Sequence, residues 1–151
     1  MKILYIANIR LPTEKAHGIQ IVKACEAFAR LGHEVTLIVP KRNSPIREDP
    51  FAYFQVERNF TIVRYWTLDT VWLGKIGFLM QSITFALSAR FSLPMGDVVY
   101  GRDEIVLALL AFLGVRPLVW ESHDGSWNWW ARFLVSRIRR LIVVSKGAQD
   151  A

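Results

Sequence analysis

The chain has 151 residues, of which 52% are hydrophobic and 13% aromatic, and a formal net charge of +6. That composition excludes an intrinsically disordered chain and bounds the architecture at one domain with a substantial core. A lone cysteine, Cys25, excludes an internal disulfide; it sits among helical apolar positions, as a packed core thiol would.

Residues 2–7 are a near-continuous apolar run, the pattern of a central parallel strand buried on both faces. The polar loop after it, 9–18, exceeds the roughly 2–6 residues usual for a strand-to-helix connection. Extra length at the carboxyl end of a first strand is where open α/β sheets hold ligands. Over 19–31 the apolar period becomes helical: Ile21, Val22, Cys25, Phe28 and Ala29 share a stripe opposite Gln20, Lys23, Glu26 and Arg30. Gly32 stands where a glycine ends a helix. A second strand is predicted over 33–39, stopped by Pro40. Residues 41–58, with Pro45 and Pro50 around a short apolar patch, read as a mobile excursion.

A third strand is predicted over 60–66 and a long apolar helix over 71–91. Within that helix, 77–89 is the best candidate for a membrane span. Gln81, Ser82, Thr84 and Ser88 interrupt it, and it falls short of the roughly 20 residues a span needs, so it reads as a core helix. A fourth strand over 97–101, a helix over 104–113 closed by Gly114, and a fifth strand beginning at 117–120 follow. A helix over 127–139 and a sixth strand over 141–145 complete the order. The amino terminus has no secretory pattern, since Asn8 and Arg10 break its apolar run and no small-residue cleavage site follows.

Strands linked by helices in this way predict a doubly wound, Rossmann-like parallel sheet of about six strands, a single domain over 1–151 with helices on both faces. In the order 3-2-1-4-5-6, strands one and four meet at the switch point. Three segments then share one edge: the loop ending His17-Gly18, Arg102-Asp103 after strand four, and Glu121-Ser122-His123-Asp124 after strand five. Gly18 before a helix amino terminus suits a phosphate, or else only makes the turn. Neither G-x-G-x-x-G nor G-x-x-x-x-G-K-[ST] is present. His123, between Glu121 and Asp124, reads as an acid, base or hydrogen-bond donor to a substrate oxygen, or as a structural strand-end histidine. Arg102 pairs with a phosphate, or bridges Asp103 or Glu104. His17, His33 and His123 are far apart and lack zinc-like spacing, so no metal is expected.

Residues 127–149 hold Arg132, Arg137, Arg139, Arg140 and Lys146 and no acid. At 100° per residue, Trp127, Trp130, Leu134, Ile138 and Leu141 share a face, and Trp129 and Phe133 fall beside the arginines. The stretch 127–141 reads either as an interfacial helix on anionic lipid or as a packing helix with a solvated arginine face. Nucleic acid is not expected as a partner, because no recognition motif accompanies the charge.

The segments R-L-P-T-E-K-A-H-G (10–18), C-E-A-F-A-R-L-G-H-E-V-T-L-I-V-P (25–40), Y-G-R-D (100–103), W-E-S-H-D (120–124) and L-I-V-V-S-K-G (141–147) occur in one order over nearly the whole chain. Together they resemble the amino-terminal domain of the GT-B-fold enzymes of glycosyltransferase family 4. The resemblance implies retaining, hexosyl-type transfer from a nucleotide-sugar donor to a glycan or lipid-linked acceptor, with neither metal nor cofactor. It implies that His123 contacts the transferred sugar and that His17 and Gly18 belong to the donor-phosphate loop. Lys15, Arg102, Asp103, Glu121 and Asp124 would border or support the acceptor pocket. The family's carboxyl-terminal donor-binding domain has no counterpart within these residues. The chain is therefore expected to be inactive alone and to need that domain in cis or in trans. Two other readings are a non-catalytic partner or membrane-docking subunit of a split glycosyltransferase, and a small nucleotide- or phosphosugar-binding domain. The expected location is the cytoplasm, peripheral on the inner membrane face.

Overall fold

The computed structural model describes residues 1–122 and 128–143. Strand β1 (Lys2–Ile6) alternates Ile3 and Tyr5 toward one layer with Leu4 and Ile6 toward the other, and all four are buried. A strand apolar on both faces must lie centrally, with cover on each side. It pairs in parallel with β2 (Glu34–Pro40) on one side and β4 (Val98–Gly101) on the other. Strand β3 (Thr61–Tyr65) flanks β2, while β5 (Leu118–Ser122) and β6 (Arg140–Val143) extend the sheet beyond β4. The order is β3-β2-β1-β4-β5-β6, all parallel, as predicted. The register sets Ile6 beside Gly101 and Gly101 beside Trp120, so the segments leaving β1, β4 and β5 emerge along one line.

One face of the sheet is covered by α1 (Ala16–Arg30) and the four-residue α2 (Pro50–Tyr53). Cys25 lies in this layer, fully buried, and burial pushes its thiol pKa far up, as befits a packed core thiol. The opposite face carries α3 (Gly74–Ser92), α4 (Glu104–Phe112) and α5 (Trp129–Val135), with Phe85, Leu107, Leu110 and Leu134 inaccessible between them and the sheet. Gly32 and Gly114 end α1 and α4 at φ +85° and +80°, the left-handed region in which glycine carries no steric cost.

Several sequence expectations change. Helix α1 begins at Ala16, so Gly18 lies inside its first turn and not before it. A Cβ there would come within 2.3 Å of Thr13 Cγ2; glycine is required by the close approach of α1 to its own loop. That loop buries Ile9, Leu11, Pro12 and Thr13, and Ser44 Oγ donates to the Pro12 carbonyl at 2.8 Å. Much of its length is scaffold.

Residues 41–49 carry no helix or strand and are largely exposed, whereas 50–58 are anchored to the core side. Asp49 caps α2 by accepting from the Phe51 and Ala52 amides, Phe54 and Phe60 enter the core, and Glu26 accepts from the Glu57 amide at 2.8 Å. Strand β5 runs on to Ser122, which puts Glu121 and Ser122 within the strand. Helix α5 spans only seven residues, and β6 starts at Arg140.

The long apolar helix is a core helix on one side only. A short 3-10 turn, Val71–Leu73, precedes α3, and Val71–Ser92 is, among the described residues, the one helix long and apolar enough to cross a membrane. Its inner face packs Phe85, Ala86 and Ala89 into the core. Its outer face leaves Ile76, Met80, Ile83, Leu87 and Phe91 in solvent.

Candidate active site

A cleft of about 630 Å³ opens where β1, β4 and β5 end. Asn8, just beyond β1, is buried at its floor, and its amide donates to Ser82 Oγ of α3 at 3.0 Å. On β4, a Cβ at Gly101 would sit 2.7 Å from the Ile6 carbonyl oxygen. A glycine there lets β4 leave the sheet tight against β1 and turns Arg102 into the cleft.

Arg102 is held on three sides. Its Nε and Nη2 donate to Glu121 Oε1 at 3.0 and 2.6 Å, and its Nη1 donates to Gln20 Oε1 of α1 at 3.1 Å. The Tyr100 hydroxyl donates to Glu121 Oε2, and Trp120 Nε1 donates to the Arg102 carbonyl at 3.2 Å. Burial works against the Arg102 charge, yet the hydrogen bonds to Glu121 prevail and raise its pKa above the ordinary value. Burial, reinforced by Glu121, raises that of Tyr100, so the phenol stays protonated and keeps donating.

Asp103 turns away from Arg102 to cap α4, its Oδ1 accepting from the Val106 amide at 2.9 Å. Burial pushes its carboxyl up to about 6, against the hydrogen bond from Val106. The folded value exceeds the ordinary 3.8, so the stability tied to protonated Asp103 is complete below 3.8 and is lost as pH rises through about 6. D103N keeps a cap oxygen and removes the titration. It is expected to flatten the fall in urea midpoint between these limits and to gain about 1–3 kcal/mol on the parent at neutral pH. An unchanged pH slope in D103N would assign that slope to other groups.

His17, in the first turn of α1, faces the cleft from the opposite wall. Burial, then the charges of Lys15 and Arg102, lower its pKa, which keeps the imidazole neutral at pH 7. The amino terminus of α1 has no side-chain cap and no acid in its first turn; the Gly18 amide donates to the Lys15 carbonyl at 2.9 Å, and Glu14, just before the helix, pairs with Arg10.

The structure therefore brings His17, Arg102 and Asp103 onto one cleft, with Glu121 behind Arg102. Lys15 is exposed at the start of α1 and does not line the cleft, and Gly18 faces Thr13 instead. The bridge expected from Arg102 to Asp103 or Glu104 is made to Glu121, because β5 continues past Trp120 and carries that carboxylate alongside the end of β4. Glu104 instead accepts from Asn128 Nδ2. His123 and Asp124 lie outside the described residues. Sequence reading missed Asn8, Gln20 and Tyr100, each a polar group in an otherwise ordinary strand end, strand or helix face. Among the described residues no three His, Cys, Asp or Glu side chains cluster in a way that would hold a metal ion.

Residues 18–151 match the family model for Glycosyltransferase Family 4. The chain belongs to glycosyltransferase family 4. No curated protein matches it. The family 4 match corresponds to an amino-terminal domain and includes Arg102, Asp103, Glu121 and His123; Asn8 and His17 precede it and are tied to the site by geometry alone. A glycosyltransferase of this family takes a nucleotide-sugar donor and an acceptor as its substrates. A cleft at the switch point of a doubly wound sheet is where this architecture puts ligands.

Proposed function

We propose that the chain is the acceptor-side half of a retaining, GT-B-type glycosyltransferase, which moves a hexosyl group from a nucleotide-sugar to a glycan or lipid-linked acceptor without metal or cofactor. The observation that carries this reading is the cleft between the first turn of α1, with His17, and Arg102, which Glu121 holds from behind while also accepting from Tyr100. The amides and partial positive charge at a helix start suit the donor diphosphate, with Gly18 keeping the first turn close to its loop. His123 follows directly on β5 and would contact the transferred sugar. Arg102 and Asp103 would shape the acceptor side, supported by Glu121, Lys15 and Asp124.

A donor-binding domain, in cis or in trans, would close the cleft and exclude water, and without it transfer is not expected. This reading keeps the enzyme in the cytoplasm at the inner membrane face, with lipid contact through 127–141. There Trp129 is exposed, stacks on Phe133 at 5.8 Å, and the Arg137 guanidinium lies 4.3 Å over the Phe133 ring.

The test joins this chain to the donor-binding domain of a family 4 enzyme and follows transfer from a labelled nucleotide-sugar. H123A is expected to lower kcat about 100-fold or more, while NMR of the product anomer reports retention. Transfer that is indifferent to His123 would overturn the assignment.

A further inference from the structure

Helix α3 is apolar on its outer face as well as on the face that packs on the core. Its buried side carries Gln81 and Ser82, whose side chains are tied inward: Gln81 Nε2 donates to Thr67 Oγ1 at 3.3 Å, and Ser82 Oγ accepts from Asn8 Nδ2 at 3.0 Å. Its exposed side presents Ile76, Met80, Ile83, Leu87 and Phe91, spaced as one helical face, and Trp72, in the 3-10 turn that Gly74 joins to α3 at φ +72°, is exposed as well. Trp72 is 80% exposed, Ile76 74% and Phe91 83%, so this is a continuous apolar stripe and not a scatter of single residues. The helix runs about 28 Å.

We propose that this outward face is a docking surface for an anionic lipid bilayer, with α3 lying in the interface plane. The occupant is chosen by charge. Residues 70–96 contain no acid, and the stripe is bounded by Lys75 near one end and Arg90 near the other. A second copy packed antiparallel along the stripe would set cation against cation with no acid to pair, whereas an anionic headgroup layer meets both. The in-plane orientation follows from Phe85, Ala86 and Ala89, which bind the inner face of α3 to the core and prevent it from crossing the membrane as an isolated span. Beside the stripe, an apolar groove of about 540 Å³ shares Phe78 and Ile105 with the cleft at the ends of β1, β4 and β5, so docking brings the cleft mouth to the bilayer. The proposal does not rest on the transfer reading.

The test is co-sedimentation of the 151-residue chain with vesicles of phosphatidylglycerol and phosphatidylcholine, against phosphatidylcholine alone. Partitioning is expected to be about tenfold or more stronger on the anionic vesicles. The pair I76S/F91S should lower it about tenfold or more, with the thermal midpoint preserved because both side chains already face solvent. Brominated phosphatidylglycerol should quench tryptophan emission in the parent and in W129F, and less in W72F, where Trp129 remains. The proposal is overturned if neither vesicle binds the chain, if I76S/F91S binds like the parent, or if quenching is lost in W129F and kept in W72F. A concentration-dependent dimer abolished by I76S/F91S would assign the face to a second copy instead.

Discussion

Replacing Glu121 by alanine is expected to destabilise the chain by about 3–5 kcal/mol, as breaking one side of a buried ion pair does. Glu121 is only 7% exposed and accepts from Arg102 Nε, Arg102 Nη2 and the Tyr100 hydroxyl. Its removal leaves a half-buried guanidinium with Gln20 as its remaining side-chain partner in this cluster and leaves the Tyr100 phenol without its acceptor. The cost is the desolvation of those donors, and far exceeds the net value of the bonds themselves. Urea unfolding measures it, with an unchanged m-value showing that the native state keeps its compactness. The pair R102M/E121L should lose much less than the two single alanine variants together, because apolar groups of similar size need no partner. An E121A loss below about 1 kcal/mol would mean the pair behaves as a solvated surface bridge.

Phe85→Ala is expected to cost about 3–5 kcal/mol, while Phe91→Ser, six residues along the same helix, changes stability by less than about 0.5 kcal/mol. Phe85 is completely buried in the layer shared by α3, α4 and the sheet, so its loss leaves a cavity among rigid neighbours. Phe91 is 83% exposed and gives up no burial on replacement. Denaturant midpoints of the two variants separate the structural face of α3 from the face left free for a partner. Because α3 also supplies Ser82 to Asn8 and Phe78 to the cleft, F85A should loosen the site as well as the core. Equal losses in the two variants would show that the outer face of α3 is covered in solution.

The sheet was legible because burial on both faces demands apolar residues at successive positions. The runs at 2–7 and 97–101 carry that mark, and the helices between them carry the longer period. The convergence of His17, Arg102 and Asp103 on one edge followed from strand order alone. The partner of Arg102 did not: nearby Asp103 and Glu104 compete for it in sequence, and only the extension of β5 past Trp120 selects Glu121. Gly18 was assigned to a turn because α1 opens without a capping side chain to mark its start.

From the chain alone came the doubly wound topology and the edge that bears the site, since both depend on periodicity and connection length, which are local. The tertiary structure alone decided which carboxylate neutralises Arg102 and which side of α3 faces outward. Ion partners far apart in sequence are chosen by strand register. A helix apolar all round has no polarity contrast to give its orientation, so its neighbours, through Phe85 and the hydrogen bonds from Gln81 to Thr67 and from Asn8 to Ser82, decide it.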